Sequence, residues 1–375
     1  MAVEIWPHVA LDQVKAAVDA AEKRELDWLV EELHEHLINL KHGLEDCYAL
    51  LAPIDHGNTL VLSTPRNEIV KGTITRVGTR IVRGTINIRM RTLPQQTLTI
   101  NPDHPIHLVP LTNLHSLLTQ SIDLLNLTLA YAYPSSSSTA TPPPPSTAGH
   151  RASHLPADLP PPQFLSAQLR VLSQSLSEAS AQLRGATTTT ASPSTSSADS
   201  SWTTRSAAPS HFTPPLSQPH PGSAHPVVSF HLTVQDAQLV LWLRSLEPAD
   251  AKVNFGTKLA LAIGTTRRLE HDESERVFGY CCNHDMSQGG AYALVGARRG
   301  SMPASGIGPP VHVPLSGTRT KTVDVYVREK VRVETADPSL MSLSAKLTAL
   351  ANTLALMRRN LAAVLGEEWD GEGDE

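Results

Sequence analysis

The sequence predicts an α+β protein, in which a discontinuous four-helix bundle built from both chain termini lies beside a mainly antiparallel β-domain. Near each end of the chain, apolar residues recur at alternating steps of four and three, as in a helix that buries one side. Between the ends, two blocks of β-branched and alternating apolar residues are typical of strands. Two long stretches of Ser, Thr and Pro cannot bury a core and are predicted to be disordered linkers.

The apolar seams of the terminal helices are the most regular pattern in the chain. The first helix is predicted over residues 11–52, with a break or fraying before Glu25. In the last helix, Asp337 is placed to cap the N-terminus, and Pro338 suits the first turn because its missing N–H is harmless there. The seam residues are the candidate packing and interaction sites: Leu26, Val30, Leu33, Leu37, Leu40 and Leu44 in the first helix, and Leu340, Leu343, Leu347, Leu350, Leu354, Met357 and Leu361 in the last.

Two further amphipathic helices are predicted between the terminal ones. The earlier runs over residues 110–131 and has an apolar face of Leu111, Leu114, Leu118, Ile122, Leu125 and Leu129. Polar groups recur every three or four positions, so we interpret it as a packed helix and not as a membrane span, which needs about 20 mostly apolar residues. The later has the same four-three spacing in Leu165, Leu169, Leu172, Leu176, Ala179 and Leu183.

The strand blocks contain a predicted hairpin. Residues 69–77 and 80–90 are rich in β-branched side chains and are joined across Gly78-Thr79. In the second of these strands apolar and polar side chains alternate, which indicates an antiparallel strand with one solvated face. The β pattern returns at residues 227–246 and 322–333.

These elements divide the chain into alternating parts of the bundle and the β-domain. In chain order the predicted parts are 1–56 (bundle), 57–109 (β-domain), 110–185 (bundle, with a disordered linker at 134–162), 186–225 (disordered linker), 226–335 (β-domain), 336–366 (bundle) and 367–375 (acidic tail). Because both domains draw on early and late sequence, truncation at either end is expected to damage the bundle.

Composition limits the classes of function. The 375 residues carry a formal net charge of −5, which does not favour nucleic acid or an acidic membrane as a partner. The three cysteines, two of them adjacent, form no disulfide framework. The first residues lack a basic stretch followed by an apolar one, so we expect no signal peptide. These features predict a reduced, intracellular compartment.

The sequence contains no recognisable catalytic motif. Cys281, Cys282, His284 and Asp285 offer nucleophilic and metal-binding groups, but no second cysteine or histidine pair stands at a zinc spacing. Phosphate-binding glycine loops, Gly-x-Ser-x-Gly and kinase-type strings are absent from the sequence. We therefore predict no catalytic residue, no metal and no cofactor. An enzyme with an unrecognised site near Cys281–Asp285 stays open as an alternative.

A cluster of cations makes the predicted hairpin basic. Its members are Lys71, Arg76, Arg80, Arg83, Arg89 and Arg91. They suit a solvated sheet face, or a contact surface for an acidic protein patch or for lipid headgroups. Nucleic acid is not favoured, because these strands lack the aromatic residues on which bases stack.

At these landmarks the chain resembles the Rogdi family. The resemblance rests on Glu25-Leu26-Asp27-Trp28-Leu29 before the long helix, on Glu68-Ile69-Val70-Lys71-Gly72-Thr73-Ile74, and on Ile86-Asn87-Ile88-Arg89-Met90 at the end of the hairpin. Residues 227–246 and 323–333, which run into the leucine-rich last helix, continue it. The family includes the smaller dedicated subunit of the fungal RAVE complex, a regulator of the vacuolar and endosomal proton-ATPase.

The resemblance implies a non-catalytic assembly factor that helps to rejoin the peripheral catalytic sector of this ATPase with its membrane sector, and thereby supports vacuolar acidification. The implied partners are a large β-propeller-type RAVE subunit, a Skp1-type adaptor and peripheral-sector subunits of the ATPase. The implied location is the cytoplasm, with peripheral recruitment to vacuolar and endosomal membranes. A coiled-coil tether or adaptor in vesicle traffic is the other alternative.

Overall fold

The computed structural model describes residues 10–54, 56–65, 68–133, 162–185, 202–220, 223, 225–250, 276–282 and 321–367. These residues form helices and two antiparallel sheets, which confirms the predicted α+β class. The helices are α1 (Leu11–Leu50), α2 (Val109–Ala132), α3 (Pro162–Arg184), the short α4 (Trp202–Arg205) and α5 (Pro338–Leu365).

Each of the four long helices packs against two of the others, and the neighbouring helices run antiparallel. Helix α1 contacts α2 and α5, and α3 contacts the same two helices. Helices α1 and α5 approach closely at Gly43, where an added Cβ would lie 2.5 Å from Leu350 Cδ2. One turn further, Lys346 Nζ donates to Asp46 Oδ2 at 2.8 Å. The first and last long helices are therefore direct neighbours.

The predicted seams lie in the interior of this helical layer. All of the predicted seam residues of α1 and α5 are buried except Leu26 and Leu350, which are partly buried and pack against the core. By length and composition α5 could also span a membrane. In the structure its seam is covered by α1 and α3. Helix α1 shows no break before Glu25: it is continuous from Leu11, but its first fifteen residues are exposed.

The buried face of α2 differs from the prediction at two positions. Ser121 and Thr128 are buried, whereas Ile122 and Leu129 are only partly buried. The Ser121 hydroxyl donates to the Leu117 carbonyl and lies 2.8 Å from the Ser175 hydroxyl on α3. The Ser121 hydroxyl has a hydrogen-bond partner, and its small side chain lets α2 lie close to α3. The buried face of α2 therefore includes Ser121 and Thr128, and is rotated from the predicted face toward α3.

The first sheet contains the predicted hairpin. Its strands are β1 (Asn58–Ser63), β2 (Val70–Val77), β3 (Arg80–Ile88), β4 (Gln96–Ile100), β5 (Ile106–His107) and β6 (Phe212–Thr213). They are ordered β1-β2-β3-β4-β6, and β5 pairs with β3. The turn between β2 and β3 is the predicted Gly78-Thr79, and Gly78 has a φ of +59°, which glycine adopts without strain.

The second sheet is ordered β7-β8-β10-β9. Its strands are β7 (Val227–Gln235), β8 (Gln238–Pro248), β9 (Val277–Cys282) and β10 (Lys321–Ala336). The stretch 227–246, predicted as continuous β pattern, is a hairpin that turns at Asp236 and Ala237, both with positive φ. Asp236 tolerates this conformation better than most residues, but Ala237 gives no turn signal in the sequence.

The prediction of a disordered linker over 186–225 is wrong for residues 202–220. Trp202 of α4 packs edge-on against Phe278, with ring centroids 5.3 Å apart, and Phe212 packs against Phe230 at 5.0 Å. Trp202 and Phe212 are 2% and 1% exposed, and burial of such large apolar rings anchors the segment. Apart from residues 223 and 225, the remainder of both predicted linkers lies outside the described residues, and Pro162, placed in the first linker, begins α3.

One hydrophobic core unites the helices with both sheets. A single cluster of buried residues contains the seams of all four long helices and the inner faces of the two sheets. A second, smaller cluster lies under Trp202 at the far end of the second sheet. The register of β10 explains the two clusters, because a bulge between Val327 and Glu329 moves the apolar side chains of this strand from one face of the sheet to the other.

We expect substitution of a buried leucine on α5 to destabilise the protein far more than substitution of an exposed one. Leu347 is 0% exposed and Leu356 is 51% exposed on the same helix. Leu347→Ala should lower the free energy of unfolding by about 2–5 kcal/mol, because a cavity opens between α5 and its neighbours. Leu356→Ala, the matched control, should change it by less than about 0.5 kcal/mol. Urea unfolding of the full chain measures both, and similar losses would contradict the described packing of α5.

Candidate interaction surface

The outer face of the first sheet is basic, and its cations are exposed in the part of the chain that the structure describes. Strands β1 to β4 contain no Asp or Glu. Alternation along β2 and β3 turns Val70, Ile74, Ile86 and Ile88 into the core, and the intervening side chains into solvent. We name five exposed cations the basic face: Lys71 on β2, Arg80 and Arg83 on β3, and Arg89 and Arg91, which follow the end of β3.

A bulge brings two arginines of β3 onto this face. Thr75 pairs with Arg83, but Arg76 pairs with Ile81, so Val82 is an extra residue in β3. Paired residues of antiparallel strands lie on the same side of a sheet. Arg80, which pairs with Val77, therefore faces outward together with Arg83, although two residues, Ile81 and Val82, lie between them. Strict alternation would have placed them on opposite faces.

Short polar side chains form the floor between the cations. Thr73, Thr85 and Thr99 lie side by side across three strands. In a neighbouring row, the Thr97 hydroxyl donates to the Asn87 side-chain oxygen at 2.6 Å. These side chains are too short to reach over the arginines, so the guanidinium groups are the outermost polar groups of the sheet.

The charge of the basic face is not compensated within the described chain. None of its five cations has an ion-pair partner among the described residues. Exposed like charges on a rigid sheet raise the local positive potential, which attracts an acidic partner and accelerates encounter with it. The arrangement can thus bind an acidic protein surface or anionic headgroups.

The prediction is wrong for Arg76, which does not belong to this surface. Its side chain is 2% exposed, and its guanidinium Nε donates to the Asp337 carboxylate at 2.5 Å, while Nη1 donates to the Gly78 carbonyl. Arg76 has the same strand parity as Val70 and Ile74, so alternation already places it on the core side. That parity was the available signal, and the basic composition of the hairpin obscured it.

Asp337 connects three elements at the start of α5. Its carboxylate accepts from the Ser339 backbone N–H at 3.0 Å, which confirms the predicted helix cap. It also accepts from the Asn58 side-chain amide on β1 at 3.3 Å and from Arg76 on β2. Asn58 in turn donates to the Ser339 hydroxyl at 2.7 Å. The side chain of Asp337 is 0% exposed, so all of its charge is stabilised by these partners.

A comparison with protein families decides the affiliation of the chain. The family model described as "Rogdi leucine zipper containing protein" matches residues 25–362. The chain belongs to the Rogdi family. The comparison with curated proteins gives no match for it.

The leucine seams of this Rogdi protein are buried by packing between its own helices. The family match begins near the first residue of the α1 seam and ends near the last of the α5 seam. Because α1 and α5 bury these seams against α2, α3 and each other, the predicted seam residues are packing sites in this structure. The basic face is the part of the predicted site that remains exposed.

Cys47 and Cys281, the cysteines whose side chains the structure describes, are not grouped into a recognisable site. Cys281 borders a shallow groove between β9 and residues 206–219, whose described lining contains no ionisable residue other than Tyr280 and Cys281 itself. Burial raises the pKa of the Cys47 thiol to about 11, which makes it a poor nucleophile at neutral pH. Within the described ranges, no three His, Cys, Asp or Glu residues are grouped as metal ligands. His284 and Asp285 lie outside those ranges.

We expect a double-mutant cycle to show strong coupling between Arg76 and Asp337. Asp337→Asn keeps a helix-capping side chain but removes the charge, and Arg76→Met removes the guanidinium while keeping much of its volume. Each single change should cost about 3–5 kcal/mol, because it leaves the other buried charge unpaired. The double variant should cost clearly less than the sum, with a coupling of about 1–3 kcal/mol in urea unfolding.

The exposed pair Lys346–Asp46 is the matched control, since it also links α5 to the early part of the chain. Lys346 Nζ donates to Asp46 Oδ2 at 2.8 Å, and this hydrogen bond, followed by the Lys346 charge, lowers the pKa of Asp46. Its side chains are 43% and 67% exposed, and water replaces the lost partner when either is removed. Lys346→Met and Asp46→Asn should therefore be far less costly. Additive effects of the Arg76 and Asp337 substitutions would contradict the proposed role of the buried pair.

Proposed function

We propose that the protein is a non-catalytic assembly scaffold whose basic face binds an acidic surface of a partner. Family membership favours a protein-interaction role over an enzymatic one. The observation that carries the proposal is the basic face, whose five cations have no ion-pair partner among the described residues, next to strands β1 to β4, which contain no carboxylate. A surface of this kind adds little to the stability of the fold, so its charge is available for recognition.

In finer detail, we propose that the chain is a RAVE-complex subunit that promotes reassembly of the peripheral catalytic sector of the vacuolar proton-ATPase with its membrane sector. Its partners would be a large β-propeller-type RAVE subunit, a Skp1-type adaptor and peripheral-sector subunits. The protein would work in the cytoplasm and be recruited peripherally to vacuolar and endosomal membranes. Its loss would leave the ATPase sectors detached and the vacuole poorly acidified.

The four long helices would serve this role as a rigid support for the sheet that carries the basic face. We infer that α1, α2, α3 and α5 act as one discontinuous four-helix bundle that both chain ends complete. The buried Arg76–Asp337 pair fixes the first sheet to the start of α5. The cations on the opposite side of that sheet are therefore held at constant spacing, which lowers the entropy lost when a partner binds.

Affinity purification with mass spectrometry tests the proposal. The tagged full chain should recover the β-propeller-type RAVE subunit and peripheral-sector ATPase subunits. The charge-reversal variant Arg83→Glu/Arg89→Glu/Arg91→Glu should reduce their recovery by about tenfold or more, because like charges then oppose the acidic partner. Wild-type recovery should also fall with added salt, as the Debye length shrinks from about 8 Å at 0.15 M to about 3 Å at 1 M.

Three exposed cations outside the first sheet give the control variant. Arg184, Arg205 and Arg359 changed together to Glu alter the net charge equally but should leave recovery unchanged. Both triple variants should unfold at the wild-type urea midpoint. Recovery of ATPase subunits that is equal in the two triple variants contradicts the basic face as the binding surface. Absence of any RAVE or ATPase subunit, with normal vacuolar acidity after deletion, overturns the assignment.

A further inference from the structure

Helix α1 extends beyond the other three long helices. Near the C-terminus of α2, the Tyr133 hydroxyl donates to the Val30 carbonyl and its ring stacks on His34 with centroids 4.1 Å apart. Helix α2 thus ends beside the second half of α1. Residues 11–25 are all exposed. At 1.5 Å per residue they form a free helical arm of about 22 Å.

This arm carries an apolar stripe that no described residue covers. Leu11, Val14, Val18 and Trp28 are 83%, 44%, 48% and 61% exposed. With the exposed Ala21 and Glu25 they follow alternating steps of three and four, as the a and d positions of heptads do. An isolated helix of this length is marginal in water, so a packing partner would stabilise it.

The stripe faces away from the bundle. Continued backward from Val30, the bundle seam passes through Leu26 and then through Lys23, Asp19, Ala16 and Asp12. Each residue of the stripe lies one or two positions before the corresponding residue of the seam; for example, Leu11 precedes Asp12 by one position and Val14 precedes Ala16 by two. With about 100° of rotation per residue, the two sides are separated by roughly 150°. The change of apolar side coincides with the point where α1 leaves the bundle, and the arm up to residue 24 precedes the family match.

We propose that the arm pairs in antiparallel fashion with the arm of a second copy of the chain. A two-fold axis near residues 19 and 20 places Leu11 opposite Trp28 of the second copy and Val18 opposite Ala21 of the second copy. Val14 then lies opposite the aliphatic stem of Glu25. Symmetry repeats each layer, so six layers form with a large side chain facing a smaller one in most of them.

Charge complementarity selects this pairing. In the antiparallel register, Lys15 lies between Glu22 and Glu25 of the second copy, and the same contacts recur on the other side of the axis. A parallel pair would instead place Glu25 against Glu25 and Trp28 against Trp28, and would leave Lys15 opposite alanine. Because the stripe points away from the bundle, the second helix passes Trp28 on the outside, free of α2 and α5.

Sedimentation of the full chain over a wide concentration range tests the proposal. The wild type should shift from 40.4 kDa to twice that mass as concentration rises. Val18→Asp should raise the dimer dissociation constant at least about tenfold, since it buries an unpaired charge between the arms. Lys15→Glu should weaken the dimer as well, and Lys15→Glu/Glu22→Lys should restore it, because the exchange rebuilds the cross-chain pairs.

Leu356→Asp is the control: Leu356 is as exposed as Val18 but lies on α5. It should leave the dimer unchanged. None of the arm variants should lower the urea midpoint of the bundle, because the arm contributes nothing to the core. A monomeric mass at every concentration overturns the proposal. It is equally overturned by a dimer that persists in Val18→Asp, or by a charge exchange that fails to restore what Lys15→Glu weakened.

Discussion

Arg76 and Asp337, which are 261 residues apart in the chain, form an ion pair with almost no exposure to solvent. Separating the pair would leave two charges in a low-dielectric interior, so we infer that the pair favours the observed relative position of the hairpin and the start of α5. Asn58 adds β1 to the same junction. A purely apolar contact could slide by one residue at modest cost, whereas this hydrogen-bonded contact cannot. The pair therefore specifies how the two ends of the chain meet.

The rest of the structure follows from that position. Once Asp337 is fixed, α5 starts at a defined point, and its leucine seam falls into register with the α1 seam at Gly43 and Leu350. Because Arg76 turns inward with Val70 and Ile74, the neighbouring Lys71 and Arg83 must turn outward. One buried arginine thus sets both the closure of the helices and the direction of the basic face. The scaffold role proposed above uses both consequences.

Local patterns predicted much of the fold. The leucine spacing located the long helices, the β-branched runs located the hairpin, and Asp337 was identified as a cap. What failed depends on contacts that are distant in sequence. Trp202 and Phe212 are ordered because Phe278 and Phe230 receive them, and nothing within their own Ser- and Pro-rich stretch indicates that.

The candidate site was predicted in the same uneven way. Alternation predicts that Arg83, Arg89 and Arg91 share one face, and all three are exposed, as is Lys71; their contact with a partner stays a prediction. Arg80 joins them only through the bulge at Val82, which depends on strand pairing and not on composition. Arg76 was misplaced because a lone arginine on an apolar face needs a buried carboxylate, and its partner lies at the far end of the chain.

Native-state hydrogen exchange at increasing denaturant tests most directly whether the chain ends form one cooperative unit. Amides of β2, of α1 between Leu33 and Cys47, and of α5 between Leu340 and Leu361 should converge on a single opening free energy, equal to that of global unfolding. The exposed residues 11–25 should exchange at far lower free energy. If α5 opens well below global unfolding while β2 and α1 remain protected, the last helix is an independent appendage, and the account of the buried pair is contradicted.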